Sequence, residues 1–122
     1  MRNILLIDDE EDFFDLLGAY FEDKPYRLQW SPNTEDALKR VSATHYDAII
    51  SDIQMPGLSG IDLFREIKKR KSLVSPFIFL TGFNQIDYNF LLEQGVDKIF
   101  DKPIKPEELI EFIETYYKDM EI

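Results

Sequence analysis

The chain has 122 residues, 44% of them hydrophobic, which suits a single domain over residues 1–122 and excludes a disordered chain. It has no cysteine, so disulfides and thiolate metal sites are excluded. The formal charge of -10 would repel nucleic acid phosphates, so direct nucleic acid binding is not expected; a basic partner or a bound cation suits it better.

The longest apolar runs, residues 4–7 and 77–80, are far too short to cross a bilayer, and no secretory leader is evident; a cytoplasmic protein that does not enter the membrane is expected. Residues 4–7 do not alternate in polarity and read as a strand buried on both faces. Phe13, Leu16, Leu17, Tyr20 and Phe21 form the apolar stripe of a helix over 12–21, which Lys24-Pro25 stops. Residues 27–30 make a short second strand. Asn33 or Thr34 can cap a second helix that buries Ala37, Leu38 and Val41. Residues 48–51 are a third strand ended by Asp52, and Met55-Pro56-Gly57 is a turn. Gly60, Leu63, Phe64 and Ile67 share the buried face of a third helix. Residues 77–80 are the fourth strand. A fourth helix is expected over 85–94, with Gly95 as its C-terminal cap. Residues 98–100 form the fifth strand. A last helix starts at Pro106 and buries Leu109, Phe112, Ile113 and Tyr116. This alternation predicts right-handed crossovers and a doubly wound α/β parallel sheet of five strands with five helices.

In such a sheet, ligands bind beyond the carboxyl ends of the strands. The residues just past each apolar run are therefore informative. Asp8 and Asp9 come after the first strand, Asp52 after the third, Thr81 after the fourth and Lys102-Pro103 after the fifth. The five carboxylates of "DDEED" at 8–12 need a reason, because like charges about 4 Å apart repel by roughly 4 kcal/mol even at an effective dielectric near 20. Glu10, Glu11 and Asp12 suit the positive end of the first helix, which leaves Asp8 and Asp9 for a site. Three carboxylates and one ammonium leave a charge that Mg²⁺, an oxygen-seeking cation, would balance. Asp52 beside Mg²⁺, Lys102 and the Thr81 hydroxyl is suited to phosphoryl chemistry through an aspartyl phosphate.

The acidic pair Asp8-Asp9, "SDIQMPGLSG" around Asp52, "LTGF" with Thr81 and "GVDKIFDKPI" with Lys102-Pro103 occur in order at the strand ends. On these motifs the chain resembles, over essentially its whole length, the receiver domain of two-component response regulators. The resemblance implies a flavodoxin-like sheet of order 2-1-3-4-5. It implies that Asp52 accepts a phosphoryl group from the phosphohistidine of a histidine kinase or histidine phosphotransfer protein. It also implies that Asp8, Asp9, Asp52 and the backbone carbonyl of Gln54 hold Mg²⁺. Lys102 would contact the phosphoryl group, its bond to Pro103 being cis. Thr81 would move toward the phosphate and shift the surface of the fourth helix, fifth strand and fifth helix, which a downstream protein reads. Such a domain is a signalling phosphoacceptor in a phosphorelay, not an enzyme beyond self-phosphorylation and autodephosphorylation.

The pattern departs from the family at Ile99, three residues before Lys102, where the family usually has Tyr or Phe; Phe100, one residue on, is expected on the opposite face. This opens an alternative, a pseudo-receiver that binds proteins without phosphorylation. A phosphatase with an Asp nucleophile is a third reading; one familiar phosphatase pattern has a second Asp where this chain has Gln54. Gln54 and Phe83 flank the expected path of a hydrolytic water. His45 reads as a surface loop residue, Trp30 and the phenylalanines as core, and "KKRK" at 68–71 as a solvated helix end. Whether the chain is a stand-alone receiver or part of a longer regulator is left open.

Overall fold

The structure is a computed structural model that describes residues 1–71, 74, 76–82 and 86–120. Strands and helices alternate as β1 (Arg2–Ile7), α1 (Glu11–Phe21), β2 (Tyr26–Ser31), α2 (Thr34–Ala43), β3 (Ala48–Asp52), α3 (Gly60–Lys69), β4 (Phe77–Thr81), α4 (Tyr88–Glu93), β5 (Lys98–Asp101) and α5 (Pro106–Met120). All strand pairs are parallel, in the order β2-β1-β3-β4-β5. This is the doubly wound, flavodoxin-like sheet that the sequence predicts.

Alternate side chains of the central strands enter two cores. Leu5, Ile7, Ile49, Phe77 and Phe79 pack on one face with Leu63, Phe64 and Ile67 of α3. Ile4, Leu6, Ile50, Ile78 and Leu80 pack on the other with Leu17 and Phe21 of α1 and Leu109 and Ile113 of α5. Each such side chain contributes about 2 kcal/mol of burial. Two apolar faces require apolar residues at every position, which is why the central strands read as unbroken runs. Ile99 faces the α3 core and Phe100 the α5 core, as expected from a strand's period of two. Among the described residues, no helix is long and apolar enough to cross a membrane.

Several expectations need correction. Leu16 and Tyr20 are 49% and 39% exposed, because Leu17 and Phe21, one turn apart, already occupy the sheet-facing side of α1 with Phe13 and Phe14 beside them. Leu38 and Val41 are only partly buried; Ala37 and Thr34 are the buried residues of α2. On α5, Ile110 joins Leu109 and Ile113 in the core, and Phe112 and Tyr116 are half-buried. Helix α4 is shorter than predicted. The carboxylate of Asp87 accepts the Phe90 N–H (3.0 Å) and caps the helix, so it begins at Tyr88; Gln85 lies outside the described residues. Gly95 follows its end at φ 115, a left-handed conformation that favours glycine. The side chain of Asn33 caps α2 by accepting from the Asp36 N–H.

Candidate functional site

β3, β4 and β5 each run one residue beyond the predicted limit, so Asp52, Thr81 and Asp101 are the last ladder residues of their strands. Asp52 pairs with Leu80 and Thr81 with Asp101. Lys102 comes directly after, its N–H donating to the Thr81 carbonyl at 2.8 Å. The Lys102-Pro103 peptide is cis. Asp8 comes directly after β1, and its N–H donates to the Ser31 carbonyl at 3.1 Å. The predicted residues therefore gather along one edge of the sheet.

Asp8 is 1% exposed and Asp52 6%, whereas Asp9 is exposed. Carboxylate oxygens of Asp8, Asp9 and Asp52 lie within 4.8 Å of one another. Lys102 reaches Asp52 across fifty residues of chain, its Nζ donating to Oδ2 at 2.9 Å. The same Nζ is 3.6 Å from Asp8 Oδ2, an ion pair beyond hydrogen-bond distance. The Gln54 N–H donates to Asp52 Oδ1 at 3.3 Å, folding the backbone after β3 back toward this carboxylate. The Glu10 N–H donates to Asp8 Oδ1 at 2.9 Å, and Glu11 and Asp12 lie in the first turn of α1. Thr81 is fully buried.

The charges are held under stress. Burial pushes the Asp8 carboxyl above its ordinary value, and the neighbouring Asp52 and Asp9 push the same way; the Glu10 N–H and Lys102 oppose them. Burial pulls the Lys102 ammonium down, but its hydrogen bond and ion pair with Asp52, aided by Asp8, more than offset this, and the net direction is up. Among the described residues, Asp8 Oδ2 is the one buried side-chain oxygen without a hydrogen bond. A buried anionic oxygen in that condition, beside two further carboxylates, fits a hard divalent cation. Asp8, Asp9 and Asp52 could supply its protein ligands.

The loop from Asp52 to α3 is tightly built. Gly57 takes φ 82, and Ser59 forms a capping box with Asp62. The Gly60 N–H donates to the Ile53 carbonyl at 2.9 Å, and a Cβ on Gly60 would lie 2.2 Å from the Asp52 carbonyl oxygen. Three features were not foreseen. The Trp30 indole N–H donates to the Asp8 carbonyl at 2.8 Å; the residue is half-buried against Phe14 and belongs to neither core cluster, contrary to the expectation that it is core. The Tyr88 hydroxyl donates to the Asp101 carboxylate beside Lys102. Lys68, rather than being merely solvated, donates to the Gln94 carbonyl at 2.6 Å and supports the end of α4. None of the three has a local signature, since each joins separate elements. His45 is a surface residue, its side chain 83% exposed, 3.5 Å from Asp47. Phe83 lies outside the described residues.

The profile of the response regulator receiver domain matches residues 4–114. The response regulator SaeR of Staphylococcus aureus is 35% identical over 111 residues, which are 90% of this chain and 48% of SaeR. The chain thus spans about half the length of the curated relatives it matches. Among solved structures, the receiver domain of Francisella response regulator 1452 is 26% identical with a TM-score of 0.87, covering 98% of this chain and 99% of that one. TrrA of Thermotoga maritima, a response regulator solved in complex with Mg²⁺ and BeF, is 32% identical with a TM-score of 0.81, covering 94% and 98%. The strand-end residues Asp8, Asp9, Asp52 and Lys102 all lie within the matched stretch 4–114, and the chain belongs to the response regulator receiver domain family.

Proposed function

We propose that this chain is a phosphorylatable receiver of a two-component pathway in the cytoplasm, with Asp52 as the acceptor. The observation that carries this reading is the 2.9 Å contact of Lys102 with a buried Asp52 that shares its site with two more carboxylates. The donor is the phosphohistidine of a histidine kinase or histidine phosphotransfer protein. A carboxylate oxygen of Asp52 attacks phosphorus, and the P–N bond breaks. The electron pair returns to the imidazole nitrogen, which regains a proton, and an acyl phosphate remains on Asp52.

Asp8, Asp9, Asp52 and the Gln54 carbonyl would hold Mg²⁺, which supplies charge neutralisation for the phosphoryl oxygens. The hydrogen bond from the Gln54 N–H to Asp52 supports a role for this stretch of backbone at the site. Lys102 would transfer its contact from Asp52 to the phosphoryl group. Thr81 would donate its hydroxyl there and move the chain beyond β4. The output is a change in the α4, β5 and α5 surface, a population shift that a downstream protein reads. The domain acts as a stoichiometric acceptor and not as an enzyme with turnover on a separate substrate.

One observation favours a second reading, a pseudo-receiver that binds partners without phosphorylation. Ile99 occupies the usual aromatic position and packs against the α3 core. Incubation with acetyl phosphate, in Mg²⁺ and then in EDTA, separates the two. A single added phosphoryl group by intact mass, absent in EDTA and in Asp52→Ala, is expected. No adduct on the native chain, under conditions that label another receiver, would favour the pseudo-receiver.

A further inference from the structure

Asp8 and Asp9 are joined by one peptide unit, and that unit is rigid and planar. The orientation of this plane decides where both carboxylates leave the backbone. Its carbonyl oxygen, that of Asp8, accepts the Trp30 indole N–H at 2.8 Å. The preceding amide is pinned as well, because the Asp8 N–H donates to the Ser31 carbonyl at 3.1 Å. Trp30 and Ser31 are the last two residues of β2, paired with Leu6 and Ile7 of β1. The end of β2 therefore grips Asp8 on two sides, once by backbone and once by a side chain. The indole cannot turn freely, since its ring is stacked on Phe14 of α1 at a centroid distance of 6.0 Å and 22° between planes. Trp is suited to such a place, with an apolar body that packs and one polar atom that needs a partner.

We infer that Trp30 is a positioning residue for the divalent cation site, fixing the Asp8–Asp9 peptide so that both carboxylates converge with Asp52. This rests on the reading that Asp8 and Asp9 hold the cation. Without the indole N–H, the peptide plane can rotate, and the Asp8 side chain keeps only the Glu10 N–H to orient it by hydrogen bonding. Groups that orient ligands from outside typically govern metal affinity by about ten-fold or more when removed.

The test is calorimetric titration of Mg²⁺ into the wild type, Trp30→Phe and Tyr46→Phe, with thermal unfolding of each in EDTA. Trp30→Phe keeps an aromatic ring against Phe14 and loses the N–H. Tyr46→Phe removes a comparable hydrogen bond from the neighbouring β2 residue, Gln29, without touching Asp8. The expected result is a dissociation constant raised about ten-fold in Trp30→Phe and unchanged in Tyr46→Phe. Trp30→His adds a rescue, because its Nε2–H overlays the indole N–H when the five-membered rings are superposed. Its affinity is expected to stay close to wild type. If the wild type binds no Mg²⁺, the functional reading fails, and Trp30 with it. If the wild type binds and Trp30→Phe binds equally well, the positioning role alone is overturned. Equal weakening in Trp30→Phe and Tyr46→Phe would overturn it too, as general loosening of β2. If Trp30→Phe does not fold, Trp30→His decides: weakened binding in that folded variant is equally contrary.

Discussion

Gly60→Ala is expected to be the most damaging small substitution near the site. The added Cβ would lie 2.2 Å from the Asp52 carbonyl oxygen and 3.0 Å from Ile53 Cα, more than an ångström inside normal contact with the oxygen. Both obstacles are backbone, so no side chain can swing away. The N-terminus of α3 cannot simply retreat either, because the Gly60 N–H is bonded to the Ile53 carbonyl at 2.9 Å. Overpacking of this kind costs about 3 kcal/mol. The gain in helix propensity from Gly to Ala offsets up to about 1 kcal/mol of it. A net loss near 2 kcal/mol corresponds to a Tm lowered by roughly 8 °C in a domain of this size. The clash also falls on the residue carrying Asp52, so Mg²⁺ should stabilise the variant less than the wild type. Gly18→Ala is the control of opposite sign: it sits within α1 with nothing near its Cβ position, so a Tm raised by roughly 4 °C is expected. Thermal unfolding by circular dichroism, with and without Mg²⁺, measures all three proteins. A Gly60→Ala variant that melts with the wild type and gains as much from Mg²⁺ would refute the close-approach argument.

Burial of Asp8 raises its pKa, so its ionised form costs stability once the pH exceeds the ordinary carboxylate value of 3.8. Asp8→Asn should therefore raise the Tm in EDTA at neutral pH while abolishing most stabilisation by Mg²⁺; a Tm lowered in EDTA would argue against the stressed carboxylate. Tyr117 donates to the Asp47 carbonyl at 2.6 Å beneath the Arg2 guanidinium, and burial first, then Asp47, pushes its phenol from 10.0 up to about 12. The folded chain holds this proton longer than the unfolded chain, so the stability it contributes is present below pH 10 and lost as pH climbs to about 12. Urea titrations across that window should fall less steeply for Tyr117→Phe. Tyr88→Phe should speed amide exchange in α4 about five-fold, from loss of roughly 1 kcal/mol at Asp101; unchanged protection would show that α4 is not tied to β5 this way.

The sheet was legible because three of its central strands run without polar alternation, Ser51 being the one polar residue in their apolar runs. Residues 4–7, 48–51 and 77–80 can be nothing but doubly covered, and counting to their ends brings Asp8, Asp52 and Thr81 to one edge. Lys102 was legible for the same reason, one strand further on. What periodicity could not reveal is which side of an over-apolar helix wins the sheet. Helix α1 carries apolar residues at 13, 14, 16, 17, 20 and 21, more than one face holds, and packing left Leu16 and Tyr20 outside. The start of α4 was hidden for a local reason: apolar residues lie on both sides of the Asp87 cap, Ile86 before it and Tyr88, Phe90, Leu91 and Leu92 after it, so the apolar pattern does not mark where the helix begins. Contacts such as Trp30 with Asp8 or Lys68 with Gln94 depend on strand register and helix placement, which no spacing along the chain encodes.

The most direct measurement locates the phosphoryl group. The chain is treated with acetyl phosphate and Mg²⁺, reduced with borohydride, which converts an aspartyl phosphate to homoserine, then digested and sequenced by mass spectrometry. Conversion at position 52, and at no other carboxylate, is expected. Conversion at Asp8 or Asp9, or none while a control receiver is converted, would contradict Asp52 as the acceptor.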